Sequence, residues 1–221
     1  MSVKCLIYCT KAKPRLFKTL KNNIFYHSQS HFDFLSDFEK ENILNGKIVA
    51  SFDCEKVDYY EMEYHKNNLV MNDISIYDEF ESKEWGHDCF KRVISNEYSK
   101  EEIANCELIK KSCLSFDELG KYVCSKNEID NFYAIHISNL EIFDKPKELS
   151  EYSKRLPNGD FQQLGKAPQN MMNVCKIKYL IEDYVLISIK PEWVANILNG
   201  EKTIEVRKQV VNKLKELILN E

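Results

Sequence analysis

Apolar and polar positions along the chain alternate with a period of two in several short runs and with a helical period in a few others. This mixture predicts an α+β fold. The clearest stretch is Tyr184–Lys208. Val185, Ile187 and Ile189 alternate with Leu186, Ser188 and Lys190, the pattern of a strand. Pro191 suits the first turn of a helix, where its missing N–H would be unpaired anyway. Trp193, Val194, Ile197 and Leu198 then form one apolar stripe, and Asn199-Gly200 ends the helix. In a second strand Ile204 and Val206 point one way, while Thr203, Glu205 and Arg207 point the other. The β-α-β stretch thus gathers Lys202, Thr203, Glu205 and Arg207 on a polar face, with Lys190 at the end of the first strand.

Residues 3–10, VKCLIYCT, are apolar on both faces and read as a central strand. Leu16, Phe17 and Leu20 suggest a turn or two of helix, and residues 22–44 a loop with a helical piece. Asn45-Gly46 marks a turn before a half-buried strand carrying Ile48, Ala50, Phe52 and Cys54, and residues 57–63 continue or pair with it. Residues 64–111 lack a clear period and read as a helical or irregular insertion, with a capping box at 99–102. Ser115-Phe-Asp-Glu118 is a second capping box, opening a short helix. Phe132–Phe143 reads as one long strand, Lys154–Ala167 as a polar loop, and Met171–Lys178 as the next strand. Val210, Val211, Leu214, Leu217 and Ile218 trace a helical stripe that ends the chain.

The 221 residues are 43% hydrophobic and 30% charged, values of a globular protein. No apolar run approaches the roughly 18–20 residues of a membrane span, and the N-terminal apolar run is too short for a signal peptide. A cytoplasmic location without membrane contact is the expectation. Eight cysteines (5, 9, 54, 89, 106, 113, 124 and 175) are scattered with no C-x-x-C spacing, as for small buried hydrophobes in a reducing compartment. Neither Cys5 and Cys9 with His136, nor His87 with Cys89, has paired ligand spacing, so no metal and no cofactor is expected. A net charge of −4 argues against a broad phosphate-binding surface. Any contact with nucleic acid must be a local basic cleft.

The S-I-K-P string at 188–191, the helix after it and G-E-K-T-I-E-V-R-K at 200–208 resemble the opening motif of the ASCH domain, a PUA-like family linked to RNA. I-Y-C-T-K at 7–11 resembles the family's second block, and G-K-I-V-A-S-F at 46–52 its next strand. The run A-I-H-I-S-N-L-E-I-F-D-K-P-K-E-L at 134–149 and K-A-P-Q-N at 166–170 resemble its later blocks. In the last of these, Asn170-Met171 stands where many relatives have Ser-Trp, so a stacking tryptophan is absent. The resemblance implies a mixed or antiparallel PUA-like β-barrel decorated with short helices and a helical insertion. It adds Tyr8, Thr10, Lys11, His136 and Gln169 to Lys190, Lys202, Thr203, Glu205 and Arg207 as ligand-binding candidates.

The family's opening block comes last in this chain. A single circularly permuted domain over residues 1–221 is the favoured arrangement. A truncated second domain from residue 184, or exchange of the C-terminal unit within a dimer, are the alternatives. The resemblance implies a module that recognises RNA or a nucleotide, with the lysines and Arg207 on phosphate or base edges. The alternative is a hydrolase acting on a modified nucleoside or RNA. Related amidohydrolases place a Thr nucleophile where Glu205 stands, so Lys202 and Glu205 would act there as an acid/base pair on water. A protein-interaction role for residues 64–111 is a third class.

Overall fold

The structure is a computed structural model that describes residues 2–10, 44, 46–65, 68–79, 89–98, 106–123, 130–176 and 183–218. The readings made for residues 11–43, for Lys11 and for the capping box at 99–102 lie outside the described residues. The fold is α+β and mostly sheet. It divides into two compact units. Val3–Cys54 and Ile137–Lys202 form one, and Met1–Ser2, Glu55–His136 and Thr203–Glu221 form the other.

The first unit is built on strands β1 (Val3–Cys9), β2 (Ile48–Cys54), β7 (Ser138–Lys147), β8 (Tyr152–Arg155), β9 (Phe161–Gln163), β10 (Met171–Lys176) and β11 (Asp183–Ile189). They form one sheet in the order β7-β2-β1-β11-β10-β8-β9. At its centre β1 and β11 run parallel, Cys5 opposite Val185 and Cys9 opposite Ile189, while their outer neighbours are antiparallel. The strand at 183–189 therefore pairs directly with the strand at 3–9. Cys5, Ile7, Val185 and Ile187 are fully buried on one face. Leu6, Tyr8 and Leu186 pack on the other with Ile48, Tyr152, Leu164 and Val174. A parallel pair covered on both faces needs apolar residues at every position, which explains the unbroken hydrophobic run at residues 5–9.

Helix α3 (Pro191–Leu198) follows β11. Pro191 occupies its first turn, and Val194, Ala195, Ile197 and Leu198 are buried, α3 packing on β1. Gly200, at φ 76°, takes the left-handed conformation just past the helix that a side chain would strain.

The second unit contains strands β3 (Val57–His65), β4 (Asn68–Glu79), β5 (Cys89–Tyr98), β6 (Asp130–His136) and β12 (Ile204–Arg207). They form an antiparallel sheet in the order β12-β6-β3-β4-β5. Helices α1 (Glu107–Ser112) and α2 (Phe116–Val123) supply Leu108, Leu119 and Val123 to a core with Tyr60, Met62, Phe132, Ala134, Ile204 and Val206. The capping box that opens α2 is formed. The Glu118 carboxylate accepts from the Ser115 amide at 2.9 Å and its hydroxyl at 2.8 Å, and the Glu118 amide donates back to Ser115 Oγ at 3.3 Å.

Four expectations need correction. Within residues 64–111, read as a helical or irregular insertion, Asn68–Glu79 and Cys89–Tyr98 are instead long strands, β4 and β5, that pair with each other. A register shift between Asp73 and Ile74 breaks the alternation that would have announced them. Residues 132–143 are not one strand. The chain leaves β6 at His136, passes Ile137 and enters β7 at Ser138, in the other sheet. Asn139 there adopts a positive φ of 48°, which asparagine tolerates better than most residues. Residues 154–167 include a hairpin, β8 to β9, turned at Gly159 with φ 89°. The C-terminal helix α4 is short, Asn212–Lys215, although Val210, Leu214 and Leu217 are buried as the stripe predicts.

Candidate functional site

In the unit of the seven-stranded sheet, three separate sequence blocks meet around Ser188. On β11 it lies opposite Tyr8 of β1. Its hydroxyl donates to the Pro168 carbonyl at 2.7 Å, and its amide donates to the Asn170 carbonyl at 2.8 Å. The loop carrying Gln169 is therefore pinned to β11 on both sides of that residue, and the Gln169 side chain is exposed. One step further along, the Thr10 amide donates to the Ile189 carbonyl at 2.9 Å. Thr10 Oγ1 is buried with no hydrogen-bond partner among the described residues. Lys190 is exposed and serves as the residue before α3, its carbonyl accepting the amides of Trp193 and Val194, each at 3.0 Å. Thr10, Gln169 and Lys190 thus cluster at the ends of the parallel pair.

Tyr8 is 5% exposed and belongs to the apolar core on this side. Burial pushes its hydroxyl pKa above the ordinary value, with Cys9 and Glu148 adding to the effect. Its contribution is to packing, as its strand position suggests. Lys202 is also buried, at 3% exposure. Its amide donates to the Asn196 carbonyl at 3.1 Å, and its Nζ lies 5.2 Å from the centre of the Trp193 ring. That separation is within the range of a cation–π contact.

The boundary between units falls between Lys202 and Thr203, so the polar face read from the sequence is divided. In the unit of the five-stranded sheet, the Thr203 amide donates to the Lys111 carbonyl at 2.9 Å. On β12, Arg207 Nη2 sits 2.8 Å from Glu205 Oε1, with side chains only 12% and 8% exposed. Ile204 and Val206 face the helices, as the alternation predicts. The cross-strand register puts Glu205, Arg207, Tyr133 and Tyr59 on the opposite face. The Tyr59 and Tyr133 rings lie 5.2 Å apart at 45°, and Asn131 Nδ2 donates to the Tyr59 hydroxyl at 2.9 Å.

His136, the last residue of β6, is held on the helix-covered face. Its amide donates to the Lys56 carbonyl at 3.1 Å, and its Nε2 is 2.7 Å from Asp58 Oδ2. Lys56 Nζ is 3.1 Å from the other carboxylate oxygen. Burial raises the Asp58 pKa, but the hydrogen bond and charge of His136 and those of Lys56 outweigh it, leaving the carboxyl below its ordinary value.

Asp58, Lys56, Tyr59 and Tyr133 escaped the sequence reading as site residues. Asp58 and His136 stand far apart in the chain, and only strand pairing joins them. Among the described residues no three His, Cys, Asp or Glu side chains converge as metal ligands, and no helix is long and apolar enough to cross a membrane. Compared with known proteins, the chain matches no family model, no curated protein and no solved structure.

Proposed function

We propose that this chain is a permuted ASCH/PUA-like binding module that recognises RNA or a nucleotide. The observation that carries this reading is the meeting of three blocks at Ser188. I-Y-C-T, K-A-P-Q-N and S-I-K-P are far apart in the chain, yet they join through the Tyr8–Ser188 register and the bonds from Ser188 to Pro168 and Asn170. Their polar residues Thr10, Gln169 and Lys190 line the place where the strands end. A lysine, an amide and a hydroxyl suit a phosphate or the edge of an unstacked base. The paired Glu205 and Arg207, beside Tyr59 and Tyr133, add a second polar and aromatic face suited to the same ligand class.

The test is fluorescence anisotropy with a short single-stranded RNA. Lys190→Glu replaces a charge-assisted bond with repulsion and is expected to weaken binding by about 1.5–3 kcal/mol, tenfold or more. Lys110→Glu, at an exposed position of α1, serves as the control and is expected to change little. The salt dependence should be shallow, corresponding to about two to four phosphate contacts. Equal losses at Lys190 and Lys110 would mean diffuse attraction, and no salt-dependent binding at all would end the proposal.

A further inference from the structure

We propose that Asp58 and His136 form a proton-accepting dyad in which His136 Nδ1 takes a proton from water attacking a carboxylic ester or similar acyl group. The dyad is a centre distinct from the Glu205–Arg207 pair. His136 lies opposite Ile204 in the strand register, on the face of the sheet away from Glu205 and Arg207.

The argument begins with the carboxylate. Asp58 is held below the ordinary carboxyl range by its two partners, so near neutral pH it is ionised and can only accept hydrogen bonds. The 2.7 Å contact therefore requires the hydrogen on Nε2. In a neutral ring this leaves the lone pair on Nδ1, the logic by which a buried carboxylate selects a tautomer in catalytic triads. Nδ1 has no partner among the described residues, and the side chain is 30% exposed.

The rest of the cluster fixes the ring. Lys56 holds the second carboxylate oxygen at 3.1 Å, and the His136 amide is anchored to the Lys56 carbonyl. An imidazole steered by a half-buried carboxylate, its side chain partly exposed and its other nitrogen unbonded among the described residues, is arranged to accept a proton.

The step balances without a cofactor. Water loses one O–H bond, its proton moves to Nδ1, and its oxygen bonds to the acyl carbon. The leaving oxygen departs with its bonding pair, and the imidazolium returns the proton to solvent. Asp58 keeps its charge throughout and is a positioning residue.

The experiment measures p-nitrophenolate release from p-nitrophenyl acetate by the full chain, with folding of each variant checked by circular dichroism. His136→Gln is expected to lower the rate above the buffer background by about 10²-fold, the low end for general-base catalysis. Asp58→Asn is expected to lose several-fold in rate and to shift the His136 tautomer seen by nitrogen NMR; a purely structural role would move the tautomer but leave the rate unchanged. A rate unchanged in His136→Gln, or unchanged in Asp58→Asn, overturns the dyad. If either variant fails to fold, wild type decides: Nε2–H as the major neutral form together with hydrolysis above that of free imidazole supports the dyad, and Nδ1–H, or no such hydrolysis, overturns it. RNA binding is a separate readout, so either proposal can fail alone.

Discussion

Ser188 donates its hydroxyl to the carbonyl of Pro168 at 2.7 Å, tying a loop to the central parallel strands. Ser188 is 4% exposed, so the bond is sheltered from water. Ser188→Ala removes the donor and leaves the carbonyl unpaired, at an expected cost of about 1 kcal/mol. Urea unfolding should show the loss, and amide exchange should rise in the loop around Gln169. Unchanged exchange there would mean that packing alone holds the loop.

The Glu205–Arg207 pair gives a sharper test. Both side chains are nearly buried, so removing one partner takes a sheltered charge-assisted contact from the other. Arg207→Met and Glu205→Gln are each expected to destabilise by about 3 kcal/mol. The double variant should cost clearly less than their sum. Strict additivity in a double-mutant cycle would show that the two residues act through other partners.

Acid should weaken the second unit through Asp58. Its folded pKa lies below the unfolded value despite burial, because His136 and Lys56 favour the charged form. The stability it contributes is present above the unfolded pKa of about 3.9 and is lost as pH falls through the lower folded value. Wild type should exceed Asp58→Asn in stability at pH 6, and the gap should close as the pH falls below about 4. A gap that stays constant from pH 6 to pH 3 would contradict the ion cluster.

The centre of the larger sheet should be the least tolerant place for cavities. Ile187 is fully buried between strands, whereas Phe161 on the edge strand β9 is 42% exposed. Ile187→Ala should cost about 2–5 kcal/mol. Phe161→Ser should cost much less, and equal effects in thermal unfolding would contradict the assigned burial.

Local chemistry was the most legible part of the chain. Pro191, the apolar stripe of α3 and Gly200 announced a strand, a helix and a stop, because each signal acts within a few residues. Ser115 and Glu118 announced their capping box for the same reason. The break at Ile137 was hidden, since Ile135 and Ile137 continue a strand alternation straight through the change of sheet. Only Ser138-Asn139, a pair that favours turns, hinted at it. β4 and β5 were hidden by charged residues and a register shift. For the candidate site, the alternation correctly placed Glu205 and Arg207 together. It could not reveal the boundary at Lys202, or the approach of Asp58 to His136, which depends on pairing between distant strands.

The parallel pairing of β1 with β11 also orders events in time. On a ribosome β2 follows β1 and can pair with one of its edges soon afterwards. Its other edge must wait for β11, some 170 residues later. At roughly 5–20 residues per second that delay is on the order of 10–40 s. Throughout it, the apolar strand Val3–Cys9 offers unpaired backbone groups to any neighbour. The nascent chain therefore carries this adhesive edge throughout that interval, and its yield should depend on holdase chaperones that mask that edge more than on the final stability of the fold.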